Sequence, residues 1–198
     1  MRKRAGEMQR VKIVLASESP FRRRAMDLVG VAYETRPASI DEKAIRHDDP
    51  AELTRQLAEA KAWKVAAECP DAVIVAGDAV AAKDGKIYEK PLDLNEAAHF
   101  LREFAGSEFQ FVTSLAVLHA PKGRLLSAVE ISTITFRPLL EREIQDYIRK
   151  YAVLQYAGAF ESDAVLKFAE RVSGAVNVGT ALPVSRLIAL LREQGVEA

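Results

Sequence analysis

The sequence predicts an α/β protein built on a mixed sheet. Strand-like and helix-like segments alternate along it, and two runs, VKIVLA and AVIVAGDAVAA, are apolar enough to be buried strands. A third observation makes the sheet mixed: FQFVTSLAVLHA and LLSAVEISTITF are joined by PKGR, a hairpin signal that demands antiparallel pairing. At 198 residues and 49% hydrophobic content, the chain suits one domain with a sizeable core.

Taken in order, MRKRAGEMQR is a basic stretch with no apolar signal core, so residues 1–10 are expected to form a flexible arm and residues 11–198 the domain. VKIVLA (Val11 to Ala16) is the first strand. Ser19 can cap a helix and Pro20 fits its first position; Phe21, Ala25, Leu28 and Val29 share one face, and Gly30 ends it. Asp49 and Pro50 repeat that start signal for a second helix running to about Glu68.

AVIVAGDAVAA (Ala72 to Ala82) reads as the central strand, and the Asp84–Gly85 turn returns it as IYEK. Asp93 caps a helix ending near Gly106, and the long hairpin follows. LEREIQDYIRKYA is a surface helix, AGAF a turn or short strand, and Pro183 opens a final helix, VSRLIALLREQ.

The charge total narrows the function. Lys plus Arg (28) equals Asp plus Glu (28), which argues against a protein that coats nucleic acid or an anionic membrane, so no stable nucleic-acid complex is expected. No run approaches the roughly 18 apolar residues of a membrane span, and the cytoplasm is the expected location. A single cysteine, Cys69, excludes an internal disulfide framework and a multi-cysteine metal site; it reads as a small residue beside a helix end. The three histidines, His47, His99 and His119, have no metal-ligand spacing. Dinucleotide, phosphate-loop, GxSxG and HExxH signatures are absent.

Four features stand out against this background. In LASESPFRRR (Leu15 to Arg24), Arg22, Arg23 and Arg24 follow the helix start, where the backbone already carries positive charge, so an anion is missing. Asp78 interrupts the central strand, where an unpaired carboxylate costs several kcal/mol. It either ends the strand and caps a turn or serves chemistry, and Gly77 before it lets another group approach the backbone. Lys61 sits in a row with Leu53, Leu57 and Val65 at four-residue spacing, so it either snorkels to water or points inward. Lys90 follows the short return strand, and Asp41 and Glu42 precede the second helix.

Together these residues divide as triphosphate hydrolysis requires: carboxylates to hold a divalent ion and a water, cations to hold phosphates. Mg²⁺ binds through one or two carboxylates plus substrate phosphates, so two acidic positions among Asp41, Glu42 and Asp78 are sufficient.

The ordered set of segments resembles the Maf-like nucleotide pyrophosphatases. LASESPFRRR resembles that family's LASxSPxRR opening, IDE its acidic motif, LAEAKAWKVA its LAxxKAxxxA helix, GDAV its (A/S)DxxV strand and EKP its GKP segment. FVTSLAVL, TITFRPL, YIRKY, AGAF and NVGTALPV resemble later segments in the same order, so the likeness covers about Lys12 to Leu191. It implies a mixed, twisted central sheet with flanking helices in two lobes around a cleft. The implied activity is hydrolysis of a nucleoside triphosphate to monophosphate and pyrophosphate, with a divalent cation (Mg²⁺, Mn²⁺ or Co²⁺) and a homodimer as the assembly.

By position, the resemblance makes Asp78 the general base, with Glu42 supporting the metal or the water; Arg22, Arg23, Lys61 and Lys90 hold phosphates, and Ser17 and Ser19 add hydrogen bonds. Phe21 after Pro20 and AGAFESD resemble the branch that takes 7-methyl-GTP rather than the one that takes dTTP or UTP. Phe21 would then face the cationic base, attracted by about 0.5–2 kcal/mol, with Glu161 or Asp163 at the base edge. Plain core packing of Phe21 with Ala25 and Leu28 is the other reading of that residue. A non-catalytic protein that binds nucleic acid or a cell-division partner through its arginine cluster and basic arm is the alternative to an enzyme.

Overall fold

Strand β3 (Ala72–Lys83) is the spine of the sheet, and every residue assigned to the chemistry is placed relative to it. The computed structural model describes residues 11–198, with the side chains of Ser162 and Asp163 excepted. The expected arm over residues 1–10 lies outside the described residues.

β1 (Lys12–Leu15) is followed by helix α1 (Pro20–Val29), the two-residue strand β2 (Glu34–Thr35) and helix α2 (Pro50–Ala66). After β3 come β4 (Lys86–Tyr88), α3 (Leu94–Phe104), β5 (Glu108–His119) and β6 (Arg124–Phe136). The chain ends with α4 (Glu141–Lys150), α5 (Ser162–Phe168), β7 (Ala169–Gly174) and α6 (Val184–Glu193). The seven strands are ordered β2-β1-β3-β5-β6-β7, with β4 pairing β3 alone.

The sheet is mixed, as expected. β1 pairs β2 and β3 in parallel, because α1 and α2 supply the crossovers that parallel neighbours need. β3, β5, β6 and β7 are antiparallel, joined where hairpins and return connections allow it. Asp84 and Gly85, both at positive φ, make the β3–β4 turn, and their mirror-type geometry suits the twist of a two-residue hairpin.

Side-chain alternation on β3 separates two cores. Ala72, Ile74 and Ala76 pack with Ala58, Ala62 and Val65 of α2. Val73 and Val75 pack on the other face with Met26 of α1 and Leu187 and Leu191 of α6. A third, aromatic core gathers Tyr88, Phe104, Phe109, Phe136 and Phe160 under α3 and α4.

Two expectations need correction. Leu28 is 61% exposed and Met26 is buried instead, because α1 presents Ala25 and Met26 to β1 and α6. The segment after AGAF forms α5 and the edge strand β7, which the sequence reading left without structure.

Candidate active site

Asp78 is the seventh residue of β3, well inside the strand, so it does not cap a strand end. It is paired with Ser114 of β5, and its N–H donates to Ser114 Oγ at 3.2 Å. The Ser114 hydroxyl donates in turn to the Thr54 carbonyl of α2 at 2.6 Å, tying that helix to the strands beneath it. Gly77 is needed at its place: a Cβ there would lie 2.4 Å from Leu182 Cδ2 and 2.7 Å from the Ser114 carbonyl oxygen.

The same helix delivers Lys61. Its row-mates Leu53, Leu57 and Val65 are buried, and the ammonium turns inward instead of snorkelling. Lys61 and Asp78 are 6% and 7% exposed, and Lys61 Nζ donates to Asp78 Oδ1 at 2.6 Å. A second carboxylate, Glu42 Oε1, lies 2.9 Å from the same nitrogen. Glu42 opens a single 3₁₀ turn (Glu42–Ala44) whose start is fixed by Asp41, which accepts the Lys43 N–H at 3.1 Å. Burial alone would raise the Glu42 carboxyl; the Lys61, Lys90 and Arg22 charges outweigh it and hold the group below its ordinary value.

The α1 N-terminus and Arg22 face the same space as this carboxylate pair, and among the described residues no ion pair to an acid is formed by Arg22. Ser19 caps α1 by accepting the Arg22 N–H, and Ser17 Oγ accepts from the Ser19 N–H at 3.1 Å and from Arg22 Nη1 at 3.4 Å. Burial pushes the Arg22 guanidinium down from its usual value while Asp78 and Glu42 pull the other way, and a guanidinium stays charged regardless. Arg22 Nε is buried without a hydrogen-bond partner among the described residues, a donor that an incoming acceptor would satisfy. Arg23 is exposed and does not line the pocket, so the structure does not bring it to the other cations.

These groups open onto a cavity of about 770 Å³. Lys90 lines it with an exposed side chain, and Ser17, Ser19, Phe21 and Glu161 line it too. Leu28 is exposed, and the Phe21 ring meets Tyr156 edge-on at 5.4 Å. Phe160 packs on Phe111 at 5.6 Å, and Phe111 pairs with Ala81, three residues beyond Asp78 on β3. The turn carrying these aromatics is pinned against the sheet at Gly158, which has φ 69° and whose Cβ would lie 2.8 Å from Ala81 Cβ. Glu161 donates its N–H to Tyr147 Oη at 3.2 Å, and the Tyr156 hydroxyl bonds its carboxylate; burial, reinforced by that carboxylate, raises Tyr156. Asp163's side chain lies outside the described residues.

Tyr156, Arg46 and Glu89 also line the cavity and went unrecognised in the sequence. Arg46 and Glu89 form an ion pair at 3.0 Å between the loop after Glu42 and the segment after β4. Only its place directly before AGAF offered a signal, for Tyr156, and nothing local marked the other two.

Among the described residues no group of three or more His, Cys, Asp or Glu side chains could hold a metal by itself. The donor set still fits a hard cation. Glu42 and Asp78 present carboxylate oxygens around one point, and Mg²⁺ or Mn²⁺ bound there would take its remaining ligands from phosphates and water.

The model of a family described as Maf-like protein matches residues 12–194. A dTTP/UTP pyrophosphatase from Salinibacter ruber (strain DSM 13855 / M31) is 35% identical over 182 residues, 91% of this chain and 89% of that protein. The match runs from the first residue of β1 to the end of α6 and takes in every motif gathered around Asp78, and on it the chain belongs to the Maf-like protein family.

Proposed function

We propose that the chain is a nucleoside triphosphate pyrophosphatase acting on dTTP and UTP. The observation that carries this is the buried Lys61–Asp78 pair, joined by Glu42 and faced by Arg22, at the wall of a cavity large enough for a nucleotide. The Salinibacter relative's substrates support the pyrimidine reading over the 7-methyl-GTP expected from Phe21 and AGAFESD.

In this reading Lys61, Lys90 and Arg22 hold the triphosphate, with Ser17 and Ser19 adding hydrogen bonds. A water attacks the α-phosphorus and passes a proton to the Asp78 carboxylate; a new P–O bond forms, and the bond to the β-phosphate oxygen breaks. Pyrophosphate leaves, and the nucleotide departs as its monophosphate. Glu42 and Asp78 would hold the divalent cation, which neutralises phosphate charge when bound. Until substrate arrives Lys61 holds the Asp78 carboxylate, and the bond from the Asp78 N–H to Ser114 on the sheet keeps the base from drifting throughout. The reading includes a homodimer, which the mass of the chain in solution tests.

One observation favours a second substrate. Phe21 and Tyr156 meet edge-on in the cavity near Glu161, an arrangement that attracts a cationic base such as 7-methylguanine by about 0.5–2 kcal/mol. Assay of dTTP, UTP, 7-methyl-GTP and GTP for pyrophosphate with Mg²⁺, Mn²⁺ and Co²⁺ decides between them. Fastest release from dTTP or UTP is expected. Preference for 7-methyl-GTP transfers the assignment to that base, and no pyrophosphate from any of them ends the pyrophosphatase reading.

A further inference from the structure

We infer that Lys61 and the divalent cation compete for the same two carboxylates, so that cation and triphosphate enter the site as a coupled pair. This rests on the triphosphate reading above. Lys61 Nζ lies 2.6 Å from Asp78 Oδ1 and 2.9 Å from Glu42 Oε1, which places the ammonium between the two acids, on an oxygen of each that a cation bridging them would use. Two cations cannot share that point, because their repulsion is little screened beside the buried Lys61 and Asp78 side chains.

Charge around the cavity leads to the same conclusion. Among the described residues, five Lys or Arg and five Asp or Glu line it, so a triphosphate meets no net positive charge from the protein. The compensating charge must come with the substrate, yet the two carboxylates placed to receive it already hold Lys61. The phosphates resolve the conflict. A lysine on its four-carbon stem can exchange carboxylate oxygens for phosphate oxygens, and doing so frees Glu42 and Asp78 for the cation. Each ligand therefore raises the affinity for the other, by the same factor in both directions.

The test is a Mn²⁺ titration of the full chain, read by the electron paramagnetic resonance of free Mn²⁺, without turnover. Wild-type protein without nucleotide should bind Mn²⁺ weakly, and the α,β-methylene analogue of UTP, which cannot be cleaved at that bond, should tighten it by about tenfold or more beyond the Mn²⁺ that the same analogue chelates without protein. Lys61→Met without nucleotide should bind Mn²⁺ at least about tenfold more tightly than wild type, and Glu42→Gln added to it should erase the gain. Lys61→Gln, which keeps an N–H donor for Asp78 but no charge, is the second variant should the first not fold. Mn²⁺ affinity in these variants no higher than in wild type overturns the inference, as does wild-type affinity that the analogue leaves unchanged. Pyrophosphate release by wild type alongside either failure leaves the pyrophosphatase reading intact, whereas its absence with every triphosphate removes the reading on which the inference rests.

Discussion

Lys61 and Asp78, on α2 and β3 respectively, meet as a buried ion pair with 2.6 Å between Nζ and Oδ1. Removing one partner of such a pair leaves a charge buried without compensation, which costs about 3–5 kcal/mol. Lys61→Ala is therefore expected to lower the free energy of urea unfolding by that amount, followed through the fluorescence of Trp63 on the same helix. A loss below about 1 kcal/mol, the range of exposed pairs, would show the pair to be solvated.

Glu42 supplies a pH dependence whose sign is fixed. Its carboxyl is held below the usual value of 4.5, so ionised Glu42 stabilises the folded state. That contribution is fully present above about 4.5 and is lost as pH falls through the folded value. Wild type should be more stable than Glu42→Gln at neutral pH, and the gap should close in acid. A gap that stays constant from pH 7 to pH 3 would contradict the assignment.

Gly77→Ala tests the close approach beside the site. Its new methyl group would lie 2.7 Å from a backbone oxygen, that of Ser114, as well as against Leu182. Overpacking of this kind costs about 1–3 kcal/mol, and a chain of this size loses about 2–4 °C of Tm for each. Adding Leu182→Ala should not restore the melting temperature, since the Ser114 carbonyl cannot withdraw; full recovery would place the clash on the leucine alone.

The parts of this architecture that were legible in the sequence are those set by local chemistry. Asp49 and Asp93 cap α2 and α3 as their positions implied, each accepting two backbone N–H groups at the helix start. Lys61 was conspicuous because four-residue spacing aligned it with leucines and valine, and Asp78 because it broke an apolar strand. β2 and β7 were not legible: one is two residues long, and the other, AERVSG, is exposed and owes its form to pairing with β6. The face of α1 was misread at Leu28 and Met26 because docking against α6, which no local pattern encodes, sets the rotation of that helix. Arg46 and Glu89 reach the cavity through tertiary contact between loops far apart in sequence.

The most direct test of the account follows product and isotope together, with dTTP and Mg²⁺ in ¹⁸O-water, for wild type and Asp78→Asn. Wild type should yield pyrophosphate and a monophosphate carrying the label, because water attacks the α-phosphorus. Asp78→Asn should fold and bind the nucleotide but turn over about 10²–10⁴ times more slowly, the share a positioned base contributes. Unimpaired pyrophosphate release by Asp78→Asn, or label found in released pyrophosphate or orthophosphate instead of the monophosphate, would contradict it.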